Sequence, residues 1–171
     1  MILATTKQAE KKLLTYSALS TYRKCPMRYN LRYEKNLVPV YIDEKLFFGG
    51  VIHKALETWH GVDGDFEFRK NLTLEKIDEV CPGWEWSKRR TRLLAKEMMI
   101  GYMEKYRNDD LEIVANEYEF DGTIINPRTG AESKTFSLKG KVDGIVKTPG
   151  GLFLMEYKTT SKLGSFTKFV G

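Results

Sequence analysis

Two apolar, β-prone runs flank a turn-forming segment near the C-terminal end of the chain, in the stretch LKGKVDGIVKTPGGLFLMEYK from Leu138 to Lys158. Pro and Gly within Thr148–Gly151 are strong turn residues, so this stretch predicts a β-hairpin. A symmetric loop of either two or four residues places Asp143 directly across from Glu156, with Lys158 on the same face. A three-residue loop would instead shift the pairing by one and send the two carboxylates to opposite faces.

The predicted pairing of Asp143 with Glu156 carries an electrostatic cost. Directly opposed residues on neighbouring strands have Cβ atoms about 4.5–5.5 Å apart, and like charges at that distance destabilise the pair. A divalent cation would compensate the repulsion, because hard metals such as Mg²⁺ bind carboxylate oxygens, and Lys158 would add a nearby positive charge. The alternative is that both carboxylates are solvated charges on an exposed face of the sheet.

The composition is that of a single globular domain. The chain has 171 residues, of which 42% are hydrophobic and 30% charged, and no apolar run approaches a membrane span. Its first residues, MILATTKQAEKKLL, are too polar for a secretory signal, so we expect a cytoplasmic, intracellular protein. The formal net charge of +5 favours a polyanionic partner without demonstrating one. Cys25 and Cys81 cannot form a disulfide framework and are expected to be reduced thiols.

Hydrophobic periodicity predicts a helical front half followed by strands. The predicted elements are a flexible, polar lead-in over residues 1–13, a helix capped by Ser17 and ending near Cys25, a helix from Pro26 to about Tyr33, a loop or extended segment over Leu37–Lys45, a helix over Phe48–Trp59, a break over Gly61–Asp65, a shorter helix over Leu72–Val80, the longest helix from Ser87 to about Tyr106, and a first strand over Leu111–Phe120. We therefore expect one α/β domain with an α+β-like layout, in which a mainly helical segment, 14–110, packs on a mixed sheet formed by 111–158.

Three motifs occur along the chain in a recognisable order. They are SALSTYRKCPMRY over Ser17–Tyr29, the Gly-rich helix start Gly49–His53, and Gly140–Gly144 followed by Glu156–Lys158. Together they resemble the RecB-type branch of the PD-(D/E)XK nuclease superfamily, which includes RecB-like exonucleases and CRISPR-adaptation-type nucleases. The resemblance covers roughly residues 14–158 and implies a restriction-endonuclease-like core.

The resemblance also implies a set of site residues. Asp143, Glu156 and His53 would bind Mg²⁺ or Mn²⁺ together with the backbone carbonyl of Tyr157. Lys158 would position or deprotonate the attacking water, or stabilise the charge that develops in the transition state.

Each of these assignments has a structural alternative. His53 could be a helix-surface or core imidazole. Glu57, one turn beyond it, could contact a metal-bound water, although pairing with a neighbouring lysine is the favoured interpretation. Glu117 falls where relatives often carry an acidic residue, so a further hypothesis is that it faces the metal or contacts one of the metal ligands.

Some RecB-like nucleases bind a [4Fe-4S] cluster through one cysteine in the position of Cys25 and three others near the C-terminus. Those three are absent from this sequence, so we do not expect the cluster here and interpret Cys25 as a small buried hydrophobe. Relatives usually continue with a helix that bears a Gln and then a Tyr, whereas this sequence ends at Gly171. Residues 159–171 therefore predict the start of a truncated C-terminal element, and Cys25 would be an iron–sulfur ligand only in a longer protein.

Two basic clusters are candidate DNA-binding surfaces. A phosphate backbone would offset the cost of cations at a helix N-terminus, about 0.3–1 kcal/mol each, and tryptophan faces can stack on unpaired bases. The favoured alternative is that the tryptophans are buried and the basic residues solvated. The first cluster consists of Trp84, Trp86, Lys88, Arg89, Arg90 and Arg92, and the second of Arg23, Arg28 and Arg32.

The primary functional hypothesis is a metal-dependent deoxyribonuclease that hydrolyses phosphodiester bonds, of phage, mobile-element or DNA-repair type by resemblance. The alternative is a catalytically inactive, nuclease-like module that binds DNA, or a helicase or recombination partner.

Overall fold

The computed structural model describes residues 11–40, 43–83, 86–109 and 111–160. These residues form five α-helices, a π-helical turn and a mixed four-stranded sheet, which confirms the predicted α/β class. None of the described helices is long and apolar enough to cross a membrane. The elements in chain order are β1 (Lys12–Leu14), α1 (Tyr16–Lys24), α2 (Pro26–Tyr29), the π-helical turn (Asn30–Glu34), α3 (Glu44–Gly61), α4 (Phe66–Val80), α5 (Trp86–Lys105), β2 (Glu112–Ile125), β3 (Glu132–Thr148) and β4 (Gly151–Met155).

The described residues divide into two compact units. The first lies within Met1–Val40 and Glu119–Lys141, and the second within Tyr41–Tyr118 and Val142–Gly171. Strands β2 and β3 are long enough to contribute residues to both units. The expectation of a single nuclease domain stays a prediction.

The first unit contains a strand that the sequence did not predict. Strand β1 pairs in parallel with β3, with Lys12 opposite Phe136 and Leu14 opposite Leu138. The last two residues of the predicted flexible lead-in, Lys12 and Leu13, therefore belong to a strand that the sequence pattern did not predict. The reason is physical: three residues are too few to show a period, and their pairing partner is distant in sequence.

A close aromatic contact explains one glycine of the first unit. A Cβ atom on Gly140 would lie 2.2 Å from Cζ of Phe120, which is far inside van der Waals contact. The Phe120 ring therefore occupies the space above Gly140, and a side chain at this position of β3 would displace the ring.

Helix boundaries depart from the predicted ones where capping side chains decide them. Thr15, rather than Ser17, caps α1, and its Oγ1 accepts a hydrogen bond from Ala18 N at 3.2 Å. Helix α4 begins at Phe66 instead of Leu72, because Asp65 caps it through a 2.8 Å bond from Phe68 N.

Two further boundaries differ for similar reasons. The predicted helix starting at Phe48 begins earlier, at Glu44, where Oδ1 of Asp43 accepts from Lys45 N at 2.8 Å. The helix predicted from Pro26 to Tyr33 is α-helical only as far as Tyr29 and continues as the π-helical turn.

The second unit has a core built from α3, α4 and α5. Apolar residues three and four apart on each helix form one face, and these faces pack together away from water. The buried members are Val51, Ile52, Ala55, Leu56 and Trp59 of α3, Ile77 of α4 with the following Cys81, and Ala95, Met99 and Met103 of α5.

The predicted hairpin register is confirmed. Strands β3 and β4 pair antiparallel from Thr148 opposite Gly151 to Gly144 opposite Met155, which leaves the two-residue loop Pro149-Gly150. Gly151 has φ of +124°, a conformation that favours glycine, so the turn depends on this residue type.

The packing of α4 yields a stability prediction. Ile77→Ala should lower the free energy of unfolding by about 2–5 kcal/mol, because the side chain is fully buried in the core and its loss leaves a cavity. Leu93→Ala on α5 removes a side chain that is 54% exposed and should change stability by no more than about 0.5 kcal/mol. Urea unfolding followed by circular dichroism measures both, and equal losses would contradict the burial of α4.

Candidate metal centre

Three side chains from different elements of the second unit converge on one point. They are His53 of α3, Glu117 of β2 and Asp143 of β3, and one ligand atom of each lies within 4.8 Å of the others. Nδ1 of His53 is 3.3 Å from Oδ1 of Asp143 and 3.9 Å from Oε1 of Glu117. The carboxylates are only 15% (Glu117) and 14% (Asp143) exposed, so this donor cluster is largely shielded from water.

Helix α3 positions the imidazole of the cluster. Val51 and Ile52 on one side of His53, and Ala55 and Leu56 on the other, are buried in the core. Because these neighbours fix the rotation of the helix, His53 lies at the border of the apolar face, where it is 31% exposed. His53 therefore lies neither among the buried core residues nor on the fully exposed surface of the helix.

The backbone of residue 157 orients the Asp143 carboxylate. Tyr157 N donates a hydrogen bond of 2.7 Å to Oδ2 of Asp143, and Oδ1 of the same carboxylate faces His53. A hydrogen bond from a backbone amide restricts rotation of the side chain, so the oxygen that faces His53 is held in place.

Glu117 has an unusual backbone. Its φ of +51° is the left-handed conformation, which costs a non-glycine residue about 1–2 kcal/mol. The strand's alternation breaks here, since Ala115, Asn116 and Glu117 are all half-buried. Asn116 Nδ2 donates to the Glu57 backbone oxygen at 2.6 Å, so two consecutive side chains of β2 contact α3. Backbone strain of this kind persists at sites where the surrounding structure enforces it.

Glu156 and Lys158 form a separate pair. Their side chains are 64% and 57% exposed, and Lys158 Nζ lies 2.9 Å from Oε1 of Glu156. The β3–β4 ladder ends with Gly144 opposite Met155, one pair before Glu156 would face Asp143. The structure therefore brings Asp143 together with His53 and Glu117, and Glu156 together with Lys158, while the Glu156 carboxylate lies outside the donor cluster.

Tyr157, between Glu156 and Lys158, is fixed by contacts with the core. The Tyr157 ring packs against the core and stacks on His60, with centroids 6.0 Å apart and planes 17° apart. Its hydroxyl donates to Met155 Sδ at 3.2 Å and lies 3.5 Å from the Tyr102 hydroxyl. Burial raises the pKa of Tyr157, and the phenol stays neutral.

His60 is held neutral in the same aromatic group. Its Nε2 lies 3.0 Å from the Tyr102 hydroxyl. Burial, reinforced by the positive charge of Arg69, lowers the pKa of His60 from 6.5 to about 4. The imidazole is therefore a packing element next to Tyr157 at neutral pH.

The other predicted acid and the first-unit residues lie as follows. Glu57 pairs with Lys54 at 2.5 Å, as the favoured interpretation predicted.

Cys25 and Cys81 are both free thiols. Cys25 is half-exposed between α1 and α2, so the expectation that it is a buried hydrophobe is wrong. The basic residues Arg23, Arg28 and Arg32 are exposed.

The basic cluster at the start of α5 is only partly available to a ligand. Arg92 lies 3.7 Å from Asp78 of α4, and Lys88 is half-buried. Arg89 and Arg90 are exposed. Trp84 and the side chain of Trp86 lie outside the described residues.

The chemistry of the donor cluster fits a divalent cation. Two carboxylates in near contact repel each other when both are ionised, and a cation among them removes that repulsion. Carboxylate oxygens suit Mg²⁺ and Mn²⁺, and imidazole nitrogen suits first-row transition metals.

The sequence profile of the PD-(D/E)XK nuclease superfamily matches residues 13–168. This match spans most of the chain and includes every member of the donor cluster, so the chain belongs to that superfamily. No curated protein sequence matches the chain closely enough to count as a relative.

The position of His60 generates a prediction about acid stability. Between pH 6.5 and about 4 the unfolded chain binds a proton at this imidazole while the folded chain does not, so its contribution is present above pH 6.5 and is lost as pH falls. His60→Phe should therefore lose less stability than the wild type between about pH 7.5 and about pH 5. Urea midpoints at both pH values measure this, and identical pH dependence in the two proteins would contradict it.

The backbone of Glu117 generates a second prediction. Glu117→Asn should stabilise the metal-free protein by about 1 kcal/mol, because Asn tolerates positive φ and the substitution removes a charge beside Asp143. The same variant should bind Mn²⁺ about tenfold more weakly, or worse, in calorimetric titration. Glu112→Asn, at the exposed start of the same strand, is the control and should change neither property. A Glu117→Asn protein with full Mn²⁺ affinity would remove Glu117 from the site.

Proposed function

We propose that this chain is a metal-dependent deoxyribonuclease of the RecB-type branch that hydrolyses phosphodiester bonds of DNA. The observation that carries the proposal is the shielded cluster of His53, Glu117 and Asp143 in a member of the PD-(D/E)XK superfamily. The profile match runs through both compact units, which supports treating them as one nuclease domain.

His53, Asp143 and Glu117 would hold Mg²⁺ or Mn²⁺, and the resemblance adds Glu156 and the backbone carbonyl of Tyr157 to the set. When bound, the ion lowers the pKa of a coordinated water and neutralises charge on the phosphate. The protein's own contribution is preorganisation. The Tyr157 amide already orients Asp143, and Glu117 already has the positive-φ backbone that accompanies its position in the cluster.

Lys158 would act on the reacting atoms. Its ammonium group is exposed and lies 2.9 Å from Glu156, and Lys158 directly follows Tyr157, whose amide binds Asp143. In hydrolysis the water oxygen forms a bond to phosphorus and gives up a proton, while the bond from phosphorus to the leaving oxygen breaks and the leaving oxygen takes up a proton. Lys158 would donate a hydrogen bond to the attacking water or to the charge that develops on the phosphoryl oxygens.

The rival proposal is a nuclease-like module that binds DNA, or a helicase or recombination partner, without cutting. The exposed position of the Glu156 carboxylate, outside the donor cluster, favours it. Such a module should bind DNA with little dependence on divalent ions, whereas a nuclease should require them for cleavage.

Cleavage of end-labelled DNA with Mg²⁺ or Mn²⁺ tests the proposal. Asp143→Asn and Lys158→Ala should each lower the rate by about 100-fold or more, because each removes a group that touches the ion or the reacting atoms. Lys147→Ala is a matched control, since Lys147 is also an exposed lysine on the hairpin, paired with Glu112 at 3.0 Å, and it should cut normally.

Two results would count against the nuclease proposal. One is the failure of the wild-type protein to cut DNA with either metal while it still shifts DNA in a gel, which would establish the rival. The other is a Lys147→Ala defect as large as that of Lys158→Ala, which would show that a general loss of positive charge is responsible.

A further inference from the structure

A pocket of about 600 Å³ opens in the second unit near the donor cluster. Phe48 of α3 and Leu94 and Met98 of α5 provide apolar walls, and the charged lining consists of two cations, Lys45 and Arg90, and one carboxylate, Glu44. Leu94 and Met98 are 49% and 43% exposed, so apolar surface faces solvent here. Neither cation forms an ion pair within the described part of the chain.

A second recess of about 400 Å³ adjoins this pocket and reaches His53 of the donor cluster. His53 lines the recess, and Lys45 and Thr159 line both cavities. Gly49 and Gly50 lie along it, and a Cβ on Gly50 would meet nothing within 4 Å. The two cavities therefore lie side by side, with His53 lining the one nearer the donor cluster.

The walls suit one chemical class of occupant. Apolar and aromatic side chains complement the face of a nucleobase. With Glu44 counted, the lining keeps a net positive charge from Lys45 and Arg90, which favours an adjoining phosphate. A cavity of this size accommodates a small molecule and not a double helix. A base that is paired and stacked has both faces covered, so only an unpaired base can enter.

We propose that this pocket binds an unpaired base of single-stranded DNA whose neighbouring phosphate lies at the His53–Glu117–Asp143 cluster. The inference rests on the proposed function and adds to it a strand preference. The enzyme should act on single strands or frayed ends in preference to intact duplex.

Two substitutions on the pocket wall test this. Leu94→Trp fills the pocket from an exposed position, and Arg90→Ala removes a cation. Leu93→Trp and Lys105→Ala are the matched controls on the same helix, because Leu93 is similarly exposed and Lys105 lies about 22 Å along the helix from Arg90 at 1.5 Å per residue.

Binding is measured in the Asp143→Asn background, so that no cutting is needed, by fluorescence anisotropy of a labelled single-stranded oligodeoxynucleotide and of its duplex. Leu94→Trp and Arg90→Ala should each weaken single-strand binding by about tenfold, whereas the two controls should match the parent protein. Duplex should bind more weakly than single strand in the parent and should respond less to the two substitutions.

Several outcomes would overturn the pocket. The first is full single-strand affinity in both pocket variants, and the second is an equal loss of affinity in the controls. The third is a Leu94→Trp protein with a reduced melting temperature and unchanged DNA affinity, because the chain itself would then fill the cavity. The proposed function fails separately, since a wild-type protein that binds single strands through this pocket but never cuts them would leave the pocket in place.

Discussion

Burial of one face of α3 is the constraint on which the rest of the second unit depends. Each fully buried large apolar side chain on this helix contributes about 1.5–3 kcal/mol, and Trp59 is further fixed by the Arg69 guanidinium, 4.0 Å above its ring. Because the buried face sets the rotation of the helix, it also sets the direction of the His53 imidazole. Core packing and site geometry are therefore parts of the same interaction.

The donor cluster sits on three separate elements, each held by its own contact. His53 is positioned by the packing of α3, Asp143 by the amide of Tyr157, and Glu117 by a strained backbone next to the Asn116–Glu57 hydrogen bond. Like charges and an unfavourable backbone conformation are costs that a protein built only for stability would avoid. Because both costs occur at the donor cluster, they support a functional role for the cluster.

Local signals in the sequence were sufficient for part of this structure. Pro149 and Gly150 define the hairpin loop, and the loop fixes the β3–β4 register. The long α5 helix is also apparent from its periodicity, to within a residue at each end. Both features depend on residues that are close together in the chain, so sequence-based reasoning is strong for them.

Non-local contacts decided what the sequence could not show. Strand β1 forms by pairing with β3, and the left-handed backbone of Glu117 lies where side chains of β2 contact α3. Extending the hairpin register would place Glu156 opposite Asp143, but β4 ends at Met155, and the amide of Tyr157 binds the Asp143 carboxylate instead. The one signal for Glu117 was an acidic residue on the strand before the hairpin, which suggested a role without revealing its geometry.

The central letter of the E-x-K motif denotes any residue, yet in this chain Tyr157 does three things at once. Its amide orients Asp143, its ring joins the hydrophobic core, and its hydroxyl reaches back to Met155. Glu156 and Lys158 are therefore exposed to solvent, while the Tyr157 side chain between them packs against the core. The variable position of the motif therefore links the hydrophobic core to the exposed Glu156–Lys158 pair, and substitutions tolerated at this position should be limited to large side chains that fill the same space.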